Sequence, residues 1–136
     1  MINYPAVFHK EKDSYWAEFP DLPGCFSQGN SIEETFDMCF EALGLYLDKE
    51  NDVYDRQINK PSSVKAIAKK YPKEIVMLIP FDSLEYAKKY KNKAVKKTLS
   101  IPEWLNDKAI RLDINFSQVL QEALINKLKE QGILKD

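Results

Sequence analysis

The 136-residue sequence predicts an α+β protein built in two parts, and three observations carry that prediction. Four apolar runs of strand length, around Ile2–Phe8, Tyr15–Phe19, Cys25–Gln28 and Ile75–Ile79, are accompanied by one long helical stripe between the third and fourth. The stretch Val95–Leu128 then reads as one strand and two short helices, with no second strand to pair with. Charge is also uneven along the chain. Residues 1–59 carry four Lys/Arg against twelve Asp/Glu, and residues 60–136 carry sixteen against nine. The expected organisation is a β-β-β-α-β domain over 1–84, a basic linker over 85–94, and a dimerising strand-helix-helix domain over 95–136.

The first run alternates Tyr4, Ala6 and Phe8 against Asn3 and Val7, a strand's period of two. Glu11-Lys12-Asp13-Ser14 is a polar turn, and Tyr15-Trp16-Ala17-Glu18-Phe19 resumes the strand, so the two form a hairpin. Pro20-Asp21-Leu22-Pro23-Gly24 is a turn cluster, with φ fixed at each proline and a positive φ open to Gly24. Cys25 to Gln28 makes a third strand. Ser31 with Glu34 three residues on fits a capping box, and Ile32, Phe36, Phe40, Leu43 and Leu47 form one helical stripe. This helix is expected to fade over Asp48–Asp52. Acidic residues Glu33, Glu34, Asp37 and Glu41 favour its N-terminal half.

Tyr4, Pro5, Val7 and Phe8, then Tyr15, Phe19 and Pro20-Asp21-Leu22-Pro23-Gly24-Cys25, then Gln28-Gly29 and Glu33-Glu34, follow a specific pattern. The run resembles the N-terminal domain of HicB-type antitoxins and covers about a third of the chain. The resemblance implies a partial RNase H-like fold that binds and masks a small ribonuclease toxin of the HicA type rather than performing chemistry. The candidate contacts for such a basic partner are Asp13, Trp16, Glu18, Asp21, Glu33 and Glu34.

Val53–Lys60 reads as a polar linker loop. Ser63 caps a short helix over Val64–Tyr71, stopped by Pro72. Ile75–Ile79 is five consecutive apolar residues, expected as a strand buried on both faces that completes the first sheet. Phe81–Tyr86 turns out of the core. Lys88, Lys89, Lys91 and Lys93, with Lys96 and Lys97 just beyond, suggest a hydrophilic hinge.

From Val95 the chain alternates again: Lys96, Thr98 and Ser100 point one way, and Val95, Leu99 and Ile101 the other. Pro102 stops the strand and opens a helix. Leu105, Ala109 and Leu112 form the inner stripe of that helix; Val119, Leu120, Ala123, Leu124 and Leu128 form that of the next, after a break near Asp113–Asn115. A second copy of the chain is the obvious supplier of the missing strand. Dimerisation then falls to Val95, Leu99, Ile101, Leu105, Leu120 and Leu124. Thr98–Pro102 and Ile114–Leu124 resemble a ribbon-helix-helix DNA-binding domain, found in one HicB subtype. The resemblance implies operator binding. A two-stranded ribbon would present Lys96, Thr98 and Ser100 to the major groove, and the amides of Phe116 and Ser117, after the Asn115 cap, would hold a phosphate. Lys97 departs from the pattern: either its stem snorkels or the strand starts later.

Composition excludes other classes. Two cysteines without CxxC spacing and the single His9 give neither a structural zinc site nor a disulfide framework, and no cofactor is implied. No apolar run reaches the length of a membrane span, and the start is not that of a signal peptide, so a cytoplasmic protein is expected. A metal-dependent nuclease needs converging carboxylates, and Asp13, Glu18 and Asp21 lie on a hairpin and its turn, so no enzyme is expected. His9 reads as a strand-end surface residue, and Cys25 and Cys39 as small buried apolar ones. Two functions remain: an antitoxin that also represses its own operon, or a dimeric transcription regulator whose first domain senses a ligand or another protein.

Overall fold

The computed structural model describes residues 1–48 and 58–134. It is a mixed α+β fold in two compact units, Met1–Lys93 and Ala94–Asp136. The expected fade of the long helix over Asp48–Asp52 and the loop Val53–Lys60 fall mostly on residues 49–57, outside the described residues.

In the first unit β1 (Ile2–Glu11), β2 (Ser14–Glu18), β3 (Phe26–Gly29) and β4 (Ile75–Phe81) form one antiparallel sheet in the order β3-β2-β1-β4. The long strand β1 is an inner strand, paired with β2 on one side and β4 on the other, and its middle is buried on both faces. Tyr4, Ala6 and Phe8 turn to one face, where they join Ala17, Phe19, Cys39, Leu43, Ile79 and Phe81 in the core. Pro5 and Val7 turn to the other face and are also buried. α1 (Ile32–Leu47) covers the core face, and α2 (Val64–Lys70) lies against β4 and β1. Burying a side chain such as Leu43 fully contributes about 1.5–3 kcal/mol.

Both helices start where polar side chains supply acceptors. Ser31 Oγ accepts the Glu34 N–H at 3.0 Å, and Ser63 Oγ accepts that of Ala66 at 3.1 Å. The α1 stripe is rotated from expectation. Thr35, Cys39, Leu43 and Gly44 are its buried residues, whereas Ile32, Phe36, Phe40 and Leu47 flank them half-buried. Small residues under the helix axis let it approach the sheet closely, and the large ones fill the gaps beside it.

Two further expectations are corrected. β4 is not buried on both faces. It is an edge strand, with Ile75 50% and Leu78 42% exposed, and its Pro80 is tolerated because an edge strand need not donate on both sides. The chain also does not leave the core after Phe81. Ser83–Tyr90 forms α3, capped by Asp82, whose Oδ1 accepts the N–H groups of Leu84 (2.9 Å) and Glu85 (3.2 Å). Tyr86 buries its ring against Phe40 and Phe81, and Lys91 pairs with Asp48 at 2.7 Å. The lysines Lys88 and Lys89 occupy the last turn, where cations suit the helix dipole.

The second unit holds α4 (Glu103–Arg111) and α5 (Phe116–Glu130). Pro102 precedes α4 with no side-chain cap, while Asn115 Oδ1 caps α5 by accepting the Gln118 N–H at 3.0 Å. Between them Asp113 takes a positive φ of 53°, which reverses the chain at the expected break. α5 ends with Gly132 at φ 74°, where Gly132 and Ile133 donate to Lys129 and Leu128 in a Schellman motif. Neither helix has a buried residue.

Candidate functional site

The face of the sheet opposite α1 carries a polar network on β1 and β2. Register places His9 opposite Trp16 and Val7 opposite Glu18. The imidazole stacks on the Trp16 ring with centroids 4.2 Å apart, and its Nε2 lies 2.9 Å from Glu18 Oε2. Glu74 approaches Nδ1 at 3.6 Å, and the Tyr71 hydroxyl donates to Glu18 Oε1 at 3.2 Å. Burial first, then the Glu18 charge, raises the Tyr71 pKa. His9 is therefore a half-buried hub inside β1, not a strand-end surface residue.

Beside this network lies an open groove of about 840 Å³ at the β3 edge, lined by Glu11, Ser14, Tyr15, Trp16, Phe26, Gln28, Gly29, Asn30, Glu34 and Met38. By register Trp16, Phe26 and Gln28 share the network's face of the sheet, while Tyr15 and Gly29 share the face that α1 covers. Phe26 is 60% exposed, and its ring stands 6.2 Å from that of Trp16. Among the described residues two carboxylates line the groove and no lysine or arginine does. Gly29 is required there by packing: a β-carbon would come within 2.7 Å of the Thr35 amide nitrogen and Oγ1.

Of the six expected partner contacts, the groove brings together Trp16 and Glu34. Asp13 sits exposed in the β1–β2 turn. Glu18 holds His9 and Tyr71. Asp21 is committed to the fold, because Oδ2 accepts the Ser62 N–H at 2.8 Å and Oδ1 accepts the Ser62 hydroxyl at 2.6 Å. Glu33 lines a separate recess with Ile32, Phe36, Asp37 and Met77. The sequence reading missed Glu11, Phe26 and Met38. Phe26 was legible in principle: Cys25 is buried, so its neighbour in an extended run faces outward.

Cys25 and Cys39 are buried as expected. Burial, with Cys25 close by, pushes the Cys39 thiol up to about 12, so thiolate is scarce near neutral pH. Among the described residues no group of three or more His, Cys, Asp or Glu is placed to hold a metal ion, and no helix is long and apolar enough to cross a membrane.

In the second unit residues 95–101 are exposed and belong to no ladder within the chain, so Lys96, Thr98 and Ser100 lie on a solvent-facing segment. Val95, Leu99, Ile101, Leu105 and Leu124 are also exposed, and Leu120 is half-buried. The amides of Phe116 and Ser117 open α5, ahead of its first backbone donor, the Val119 N–H, which bonds the Asn115 carbonyl.

An α/β unit with an open groove that carries two carboxylates, followed by a helical pair without a core of its own, fits a two-part binding protein. Residues 4–123 match the HicB-like antitoxins of bacterial toxin–antitoxin systems, and the chain belongs to that family. It is similar to a chain of a toxin–antitoxin complex from Streptococcus pneumoniae, with 26% identity, a TM-score of 0.54 and coverage of 93% of this chain and 98% of that one. The Burkholderia pseudomallei antitoxin HicB shares the fold at 21% identity and a TM-score of 0.52, over 96% of this chain and 98% of that one. Among curated relatives, a UPF0150 protein of Archaeoglobus fulgidus is 34% identical over 40% of this chain and 80% of its own length. One from Helicobacter pylori is 48% identical over 35% of this chain and 62% of its own length.

Proposed function

We propose that this chain is an antitoxin that binds and inhibits a HicA-type mRNA-cleaving ribonuclease through its first unit and represses its own operon through its second. The observation that carries this reading is the family match over residues 4–123, which reaches into both units. The acidic start supports the first part of it. A net of −8 over residues 1–59 suits a basic toxin, whereas the +7 over residues 60–136 falls mostly on residues 60–93 of the first unit, so the DNA reading rests on Lys96 and the helix amides and not on net charge. In this reading the first unit is a partial RNase H-like domain, and residues 95–136 are a ribbon-helix-helix domain that forms a homodimer.

Physical chemistry supports the dimer. The 9-residue α4 and 15-residue α5 are at or below the length at which isolated helices hold together in water, about 12–15 residues. Leu99, Leu105 and Leu124 are 63%, 41% and 52% exposed in the single chain. A second copy covers this surface and pairs residues 95–101 of the two chains into a ribbon. The antitoxin acts by occlusion and needs no catalytic group, cofactor or membrane.

The experiment is co-expression with a HicA-type ribonuclease toxin, sought as a small basic protein in the adjacent reading frame. Expected are a stable complex, loss of RNA cleavage by that protein in the complex, and salt-sensitive binding of the complex or the free chain to the operon's promoter. A folded chain that neither binds nor inhibits that protein, yet binds the promoter, favours the alternative of a dimeric regulator that senses another ligand.

A further inference from the structure

We infer that the free edge of β3 is the docking edge of the first unit, where a short extended cationic segment of the toxin adds to the sheet as a fifth strand. The inference rests on the antitoxin reading above and names the surface that reading leaves open.

Among the described residues the sheet ends in two edge strands, β3 and β4. An exposed edge is a template for another strand unless proline, charge or a covering element blunts it. β4 contains Pro80, which has no N–H to offer. β3 reads Phe-Ser-Gln-Gly, with neither proline nor charge, so the alternate residues whose backbone groups point away from β2 can all pair and nothing repels an incoming strand. The edge is also bordered by apolar surface: Phe26 is 60% exposed and Met38 39%.

The groove along this edge identifies what fits. Successive side chains of an added strand point to opposite faces of the sheet. On one face they meet Trp16, Phe26 and Gln28; on the other they meet Tyr15 and the α1 residues Glu34 and Met38. Glu11 and Glu34 supply negative charge and among the described residues the lining has no cation, so the matching segment carries lysine or arginine. Apolar side chains between those cations pack on Phe26 and Met38. Main-chain hydrogen bonds give such strand addition its affinity, and the side-chain pockets give it selectivity.

The test uses the full chain and the same HicA-type toxin. Hydrogen exchange of the Phe26–Gly29 amides is followed with and without that protein, and affinity is measured for wild type, Glu34→Lys, Phe26→Ala and the control Glu33→Lys. Glu33 is exposed on the same helical turn but lines a different recess, so the two lysine variants carry equal charge. Expected are slowed exchange across β3, affinity losses of roughly tenfold or more for Glu34→Lys and Phe26→Ala, and a smaller loss for Glu33→Lys. Wild-type binding with unslowed β3 amides overturns strand addition. Equal losses for Glu33→Lys and Glu34→Lys overturn the groove as the contact. In both cases the antitoxin reading stands. No wild-type binding overturns both.

Discussion

The Tyr86 ring of α3 lies so close to Gly44 of α1 that a β-carbon at position 44 would overlap it. Glycine inside a helix costs about 1 kcal/mol relative to alanine, so its presence here marks a close helix–helix approach. Gly44→Ala is expected to destabilise the first unit, since overpacking costs about 1–3 kcal/mol and exceeds the propensity gain. In a Tyr86→Ala background the same change should be neutral or stabilising. Denaturant unfolding of the four proteins of this cycle measures the coupling, and additivity would refute the contact.

That pair also shows where the sequence was legible and where it was not. The four strands of the first unit, the Ser31 cap and the Asp113–Asn115 break rest on local signals, alternation and turn chemistry, and each lies close to where the local pattern puts it, whereas Val95–Ile101, which also alternates, forms no strand in the single chain. α3 rests on a tertiary contact. Its surface is rich in lysine, which reads as a hinge, while the residues that hold it are Asp82, Tyr86 and a glycine some forty positions earlier. The cap was visible, since Asp82 with Glu85 three residues on is a capping pattern; the lysine run obscured it. β4 misled for a related reason. Five apolar residues suggest burial on two faces, and only the sheet order reveals an edge. Of the candidate site, Trp16 and Glu34 were legible as an aromatic and an acid. Phe26 was hidden by an uncertain register, and Asp21 drew attention by its charge although Ser62 occupies it.

High pH is expected to loosen the first unit. Burial, then the Asp48 charge, raises the Tyr86 pKa above its ordinary 10.0, and Lys91 opposes this in part. A folded pKa above the unfolded one means a stabilising contribution that is full below about pH 10 and lost as pH rises through the folded value. Tyr4, raised by burial and by Asp21, adds in the same direction. Thermal melts between about pH 8 and 11 should show a falling Tm, with a shallower fall for Tyr86→Phe. An equal slope in both proteins would remove Tyr86 from the account.

Asp113 takes a left-handed conformation that costs most residues roughly 1 kcal/mol. Asp113→Gly should hold or raise the stability of the second unit, by up to about 1 kcal/mol, whereas Asp113→Val should lower it, because a β-branched side chain fits that region poorly. Thermal melts of the full chain, followed by a label on the second unit, distinguish the two. A destabilising glycine would mean that the Asp113 side chain, not its φ, holds the turn.

The proposed dimer puts pairing and DNA contact on opposite faces of one segment of the second unit, so mutation can test the two separately. Lys96, Thr98 and Ser100 alternate with Val95, Leu99 and Ile101 along one extended segment. If two copies pair there, the apolar set turns into the four helices and the polar set outward. Lys96→Ala with Thr98→Ala should then abolish promoter binding while light scattering still reports a dimer. Leu105→Asp with Leu124→Asp should lose both, since a charge buried among apolar side chains and unpaired costs several kcal/mol. Binding by the wild type should weaken with salt, with a slope near −0.9 for each phosphate neutralised, and Lys96→Ala alone should lower that slope by about one phosphate per copy if its ammonium contacts the backbone. An unchanged slope with lost sequence preference would move Lys96 from phosphate to base edge. Unchanged affinity in the double alanine variant would remove the ribbon from the interface altogether.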